Sequence, residues 1–375
     1  MPANQSEPRA GQSEPRASQN EPRAGQSAVA AEATTRPAAG DLLRGSLRWE
    51  TGLVIVVIAV VIAGGLVSPQ FLTGANIFNL GLSYGEIAIM TLPMALIVIS
   101  GEIDLSVASI LGMSSAILGI LWSDHWPMLA IFAVVAVVGA LAGLFNGLLV
   151  TRLGLPSLAV TIGTLALYRG IALIILGPKT VSSFPVTYTD VGVNTIPGTE
   201  LTYSTGIFIV LALIFGVVLH FTPFGRSIYA MGASPDAARF AGIRVKRVKT
   251  ILYVVSGLVC SLAGVLWTFR LSTAVQNNGL GLELDVVAIV LLAGVSIFGG
   301  KGTLTGVVLA VGVYAGIQNL LLLTNFNQEA TGIVTGVILL ASVFVPNAAS
   351  FSSRFSDQLR KRRGKTRPSA ARAGR

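Results

Sequence analysis

Charge is what this chain has least of. Asp, Glu, Lys and Arg make up 11% of its 375 residues and hydrophobic residues 53%, against roughly 25% charged in soluble domains, so the composition indicates a membrane protein. A single cysteine, Cys260, sits inside an apolar stretch. That excludes a disulfide framework and a cysteine metal cluster. The two histidines, His125 and His220, stand near opposite ends of apolar segments and read as interfacial residues, not metal ligands. No HExxH, nucleophile elbow or paired catalytic His/Asp pattern occurs, so the sequence offers no catalytic residue and no metal site.

The apolar residues are arranged in ten segments, about 52–67, 78–100, 105–122, 128–150, 157–177, 205–221, 251–268, 285–298, 303–324 and 330–345. Crossing hydrocarbon takes about 20 apolar residues, with a lower bound near 17. The segments opening at Leu105 and Asp285 fall at or below that limit and read as tilted or re-entrant, which leaves nine or ten spans in an all-α polytopic protein.

The charges that remain gather at the ends and at one place in the middle. Residues 1–50 form a tail with a seven-residue repeat, Q-[SN]-E-P-R-A-[GS], at 5–11, 12–18 and 19–25. A proline in every copy, and no side chain for a seam beyond alanine, argue for disorder over a coiled coil. The transmembrane domain is 51–346, interrupted by a polar loop at 222–249, and a basic tail follows at 347–375. With ten spans, Arg44, Arg48, Arg152, the loop cations, Lys301 and the tail fall on one side, and mainly Lys179 and Arg270 on the other. Positive residues mark the cytoplasmic side, which places both termini there and accounts for the net charge of +9 without nucleic acid.

The loop carries Arg226, Arg239, Arg244, Lys246, Arg247 and Lys249 against one acid, Asp236. Topology alone explains most of those cations. It does not explain Ser234-Pro235-Asp236, a helix N-cap, a first-turn proline and an acid at the helix start, nor Gly242 where a C-terminal cap belongs. The pattern predicts a helix over 235–241, about 10 Å long. So short a helix needs something to pack against. Ala237, Ala238, Phe240 and Ala241 offer a close-approach surface with one aromatic anchor, and Arg239 reaches outward. The alternatives are a docking knob for a cytoplasmic partner and a helix resting on its own bundle.

Four stretches carry a resemblance: ISGEIDLSVASILGMSSA at 99–116, GLFNGLLVTRLGLPSLAVTIGT at 143–164, FGRSIYAMGASPDAARFAGIRVKRVK at 224–249 and ELDVVAIVLLAGVSIFGGKGTLTGV at 283–307. Through them the chain resembles, over roughly 52–345, the permease subunits of ATP-driven importers of the ribose, xylose, rhamnose and autoinducer-2 group. The resemblance implies that Asp236, Ala237, Ala238, Gly242 and Ile243 stand at the coupling motif that fits a groove on a separate ATPase subunit. It further implies a second permease subunit, two ATPases holding ATP and Mg, an extracytoplasmic sugar-binding protein, and the plasma membrane of a prokaryote. Glu102 stands where many members have a second glycine, a departure that leans toward the rhamnose-type branch.

The turn 101–106 puts two carboxylates, Glu102 and Asp104, between two apolar segments. They read either as a gate or contact to cations of the coupling region, or as an acidic helix start capped by Asp104 or Ser106. Gly294, Gly299, Gly300 and Gly302 around Lys301 fail the phosphate-loop pattern, since Val295 stands where its first glycine must be; they read as a tight turn. The chain therefore carries no nucleotide site or other cofactor of its own. Charges within apolar spans default to functional hypotheses. Glu86 and Arg169 either pair with each other or line a polar path, and Asn146, Thr161, Thr164, Ser296, Gln318 and Asn319 are path-lining candidates or polar glue between helices. The competing class is a secondary transporter or channel driven by an ion gradient, with Glu86 as its coupling carboxylate. A scaffold or receptor fits poorly with 42 glycines.

Overall fold

A computed structural model describes residues 39–327, 329–342 and 344. The seven-residue repeats and the basic C-terminal tail, 347–375, lie outside them. By its internal contacts the chain divides after Leu43. Of the first unit only the opening of the first helix is described; the helical bundle belongs to the second, Arg44–Arg375.

The described residues are helical, with only two isolated β-bridges, Val181 to Ala274 and Thr195 to Thr202. In order come α1 Ala39–Val67, α2 Gly74–Ile99, α3 Val107–Ser123, α4 Met128–Thr151, α5 Ser157–Leu176, the short α6 Val186–Val193, α7 Tyr203–Phe221, α8 Pro223–Ala233, α9 Pro235–Phe240, α10 Val245–Leu271, α11 Leu282–Leu292 and α12 Leu304–Leu323. A last apolar helix, α13, is Glu329–Ser342.

Seven of these helices are long and apolar enough to cross a membrane, so the chain is a multi-pass membrane protein: α1 from Trp49, α2, α4, α5, α7, α10 and α12. Each of the ten apolar segments coincides with a helix, but three helices are short. α3 has 17 residues and α11 has 11, and α13 belongs with α3 among the shorter apolar helices. At about 1.5 Å per residue α11 spans about 17 Å, well short of a hydrocarbon core of about 30 Å. Gly294, at φ +80°, follows its end and turns the chain before hydropathy runs out.

The first helix also begins earlier than the sequence suggests. α1 runs unbroken from Ala39, so it includes residues 39–50, a stretch free of proline. Its end is tied down: the Trp49 indole N–H donates to Leu292 O at 3.1 Å, and the Glu50 carboxylate accepts from Thr303 and Thr305 hydroxyls.

α2 is the central helix, buried over most of its length, whereas α1 is largely exposed, with Ile55, Ile62 and Leu66 on its apolar outer surface. α10 packs against α4, α3 and α2. Its contact with α4 is backbone on backbone: a Cβ on Gly143 would lie 2.0 Å from Tyr253 O, and one on Gly257 would lie 2.1 Å from Gly139 O. Small residues let helices approach this closely where no hydrophobic force drives them together.

At one end of the bundle three turns meet. Gly300 N–H donates to Ile99 O at 2.8 Å, and a Cβ on Gly232 would come within 1.9 Å of that same carbonyl. The turn after α2, the end of α8 and the glycine turn between α11 and α12 are therefore one contiguous surface. Arg152 joins it, beside Glu102, Arg239 and Lys249. Four of the cations that the sequence assigned to one side, Arg152, Arg239, Lys246 and Lys249, thus lie together.

Candidate functional site

The α8–α9 segment at this end is built from local signals. Thr222 opens α8 by accepting from Gly225 N–H at 3.3 Å, and Ser234 opens α9 by accepting from Ala237 N–H at 3.3 Å, with Pro235 in the first turn of α9. Asp236 bonds Arg239 at 2.8 Å across one turn. The helix stops at Phe240, one residue before the expected end, because Ala241 is its C-cap. Gly242 at φ +82° then donates to Arg239 O at 2.9 Å, and Ile243 donates to Ala238 O at 3.0 Å, the paired bonds that close a helix on a left-handed glycine. Six residues of helix thus satisfy their own ends. Ala238 is buried and holds α9 to the bundle, while Phe240 is 94% exposed, and Asp236, Ala237, Arg239 and Ala241 face outward with it.

Tyr229 braces α8 from behind, donating to Gly302 O at 2.7 Å. Burial, and secondarily the charge of Glu50, push its phenol up to about 12, so it stays a donor across the physiological range.

The two carboxylates of the 101–106 turn separate. Glu102 forms an ion pair with Lys249, near the start of α10. Asp104 turns inward, fully buried, and accepts from Ser106 N–H at 3.0 Å, Ser106 Oγ at 2.6 Å and Ser256 Oγ at 3.1 Å. Ser106 Oγ accepts in turn from Asn146 Nδ2 at 2.8 Å, and Asn146 Oδ1 accepts from Tyr168 Oη at 3.1 Å. The entry to α3 is thereby bonded to α4, α5 and α10. Glu102 thus contacts a lysine of the 222–249 loop, while Asp104 stands at the entry to α3.

Glu86 and Arg169 do not pair. Glu86, fully buried in α2, lies 3.3 Å from Arg270 Nε and accepts from Ser204 Oγ at 3.2 Å. Arg270 also lies over the Trp267 ring, 4.3 Å from its centroid. The sequence placed Arg270 in a loop because the apolar run ends at 268; α10 continues to Leu271 and puts Arg270 in its last turn. Arg169 instead donates to Asn278 O at 2.8 Å and so holds the connection between α10 and α11. Three more of the path candidates are also hydrogen-bonded within the chain. Asn319 and Asn76 exchange amide bonds at 2.8 and 2.9 Å, joining α2 to α12. Ser296 lies in the glycine turn, not in a span, and accepts from Phe298 N–H at 3.2 Å. Thr161 bonds back to Ser157 O at 2.9 Å.

A cleft of about 550 Å³ with a largely apolar lining opens elsewhere, among α2, α10, α11, α12 and α13, and includes one polar cluster with Asp285, Tyr314, Gln318 and Thr335. Tyr314 Oη donates to Asp285 Oδ1 at 2.7 Å and lies 2.9 Å from Thr335 Oγ1, while Gln318 Nε2 donates to Thr335 Oγ1 at 2.9 Å. Of this cluster the sequence singled out only Gln318. Asp285 was legible as an acid opening an apolar segment, but its partners lie on α12 and α13. Glu86, Asn146, Arg169, Ser296 and Asn319 do not line this cleft.

The described residues thus form a multi-pass helical bundle with three shorter apolar helices and a capped helix projecting from one end. Residues 76–343 match the family described as branched-chain amino acid transport system, permease component, and the chain belongs to that family. It is similar to the L-arabinose ABC transporter permease of Azospirillum brasilense, 33% identical over 317 residues, 84% of this chain and 91% of that one. It is similar also to the ribose import permease of Haemophilus influenzae, 30% identical over 78% of this chain and 91% of that one, and to an autoinducer 2 import permease of Klebsiella pneumoniae, 28% identical over 79% and 91%. No solved structure matches the chain.

Proposed function

We propose that this chain is the translocation subunit of an ATP-binding-cassette importer for a monosaccharide, a pentose or hexose, in the plasma membrane of a prokaryote. Its partners in this reading are a second permease subunit, two ATPase subunits that hold ATP and Mg, and an extracytoplasmic sugar-binding protein. Both termini and the 222–249 loop are cytoplasmic. α9, with Ser234, Pro235, Asp236, Ala237, Ala238, Arg239, Gly242 and Ile243, enters a groove on the ATPase, and the Glu102–Lys249 pair carries its displacement to the turn before α3.

The observation that carries this reading is the exposure of α9. A helix whose own caps are complete has no internal need to project an aromatic ring that is 94% exposed, whereas an aromatic anchor entering a partner's pocket is a common source of binding energy. The sugar cargo is supported by the arabinose and ribose relatives. Rhamnose gains no preference from Glu102, which is bound to Lys249 beside α9. Family membership and the Glu86–Arg270 pair leave the ion-gradient reading without support.

The test is uptake of labelled L-arabinose, D-ribose and L-rhamnose by cells carrying the complete importer. The reading predicts uptake of at least one sugar, lost with Ala237→Glu and persisting when an uncoupler is added while ATP is maintained. Uptake that survives Ala237→Glu and collapses with the uncoupler contradicts it.

A further inference from the structure

α4 and α10 pack side by side, and each carries a stripe that is apolar inside the span and basic at its end. On α4 the stripe is Leu144, Leu148 and Arg152, spaced by four; on α10 it is Ile251 and, four residues before it, Arg247. The two stripes line one groove of about 610 Å³, which Arg244 and Lys246 also line, and no acid does. Arg239 and Ile243, the remaining long side chains at the groove, belong to α9 and its cap. Among the described residues Arg152, Arg244, Lys246 and Arg247 have no carboxylate partner, whereas Arg239 and Lys249 have theirs in Asp236 and Glu102. α10 adds to the excess. No side chain caps its N-terminus and no acid stands in its first turn, which leaves the positive end of its dipole uncompensated.

We infer that this groove holds an anionic phospholipid, its phosphate among Arg152, Arg244, Lys246 and Arg247 and one acyl chain along Leu144, Leu148 and Ile251. Keeping cations on one face of a membrane needs neither a groove nor an apolar wall behind them, and basic recesses between helix ends are where anionic headgroups bind. The wall is open to a chain: Ile251 is 41% exposed, and Leu144 and Leu148 are half-buried. A free phosphate would use the cations and leave the wall bare. An acidic protein segment arriving from water stops at the helix ends, and Leu144 stands about 12 Å along α4 from Arg152. A second copy of this chain laid face to face on the groove would bring the same cations with it. The inference goes beyond the importer reading and does not depend on the cargo.

The experiment is native mass spectrometry of the purified, delipidated full chain, titrated with phosphatidylglycerol or with phosphatidylethanolamine of the same acyl chains, and with inorganic phosphate as competitor. Arg152→Gln with Arg247→Gln removes two cations from the groove; Arg226→Gln with Lys301→Gln removes two exposed cations that do not line it. The expected result is one phosphatidylglycerol bound in preference to phosphatidylethanolamine, weakened about thirtyfold by the groove pair, unchanged by the control pair and not displaced by phosphate. Equal affinity for the two lipids, equal losses in the two pairs, displacement by phosphate, or expulsion of the lipid when two chains associate would each overturn it. Where the groove pair is not inserted into membranes, a photoactivatable phosphatidylglycerol on the wild type decides: crosslinks confined to 144–152 and 244–251 support the inference, and crosslinks spread over the other spans overturn it.

Discussion

Glu102 and Lys249 form an ion pair between the turn after α2 and the start of α10, the helix next in the chain after α9. Both side chains are about seven-eighths buried, and the pair ties the first turns of α10 to the turn that precedes α3. Glu102→Gln or Lys249→Met therefore costs transport more than folding. We expect import to fall while ATPase subunits still bind, and the exchange Glu102→Lys with Lys249→Glu to restore part of it. Uptake and co-purification, measured on the same membranes, separate the two effects.

The Glu86–Arg270 pair makes a prediction of opposite character. Arg270→Met strands a fully buried carboxylate, a change that costs about 3–5 kcal/mol when one partner of a buried pair is removed. Adding Glu86→Gln removes the stranded charge. Thermal unfolding in detergent should show a large loss for the single variant and substantial recovery for the double one. A gradient-coupling carboxylate would instead show transport lost in both.

Gly143→Val tests the close approach of α4 to α10. A Cβ there would lie 2.0 Å from Tyr253 O, and overpacking of this kind costs about 1–3 kcal/mol or more. The expected outcome is a lowered unfolding temperature, with Gly163→Ala, where nothing lies within 4 Å of the added Cβ, as the neutral control.

Signals that act over a few residues were legible in the sequence. The Ser234 cap, the Pro235 start and the left-handed Gly242 defined α9 to within one residue, and hydropathy located the apolar helices. What the sequence hid depends on contacts between distant segments. Glu86 found its partner in Arg270, which lies beyond the end of an apolar run and so resembled a loop charge. Asn319, Asn146 and Arg169 were legible as unusual, but each is used by another helix or connection, and only the packed bundle shows which. The same holds for the cleft, where Asp285, Tyr314 and Thr335 meet from three helices.

The central claim is that α9 is the contact to the ATPase. It is tested most directly by co-purifying the ATPase subunits with tagged permease from membranes, for the wild type, Phe240→Ala and Ala237→Glu. All three have intact caps and an unchanged Ala238, so the bundle should fold alike. The account predicts that recovery of ATPase falls steeply for both variants, by about thirtyfold in affinity for Phe240→Ala if the ring is an anchor worth about 2 kcal/mol. Wild-type recovery of ATPase with both variants would contradict it.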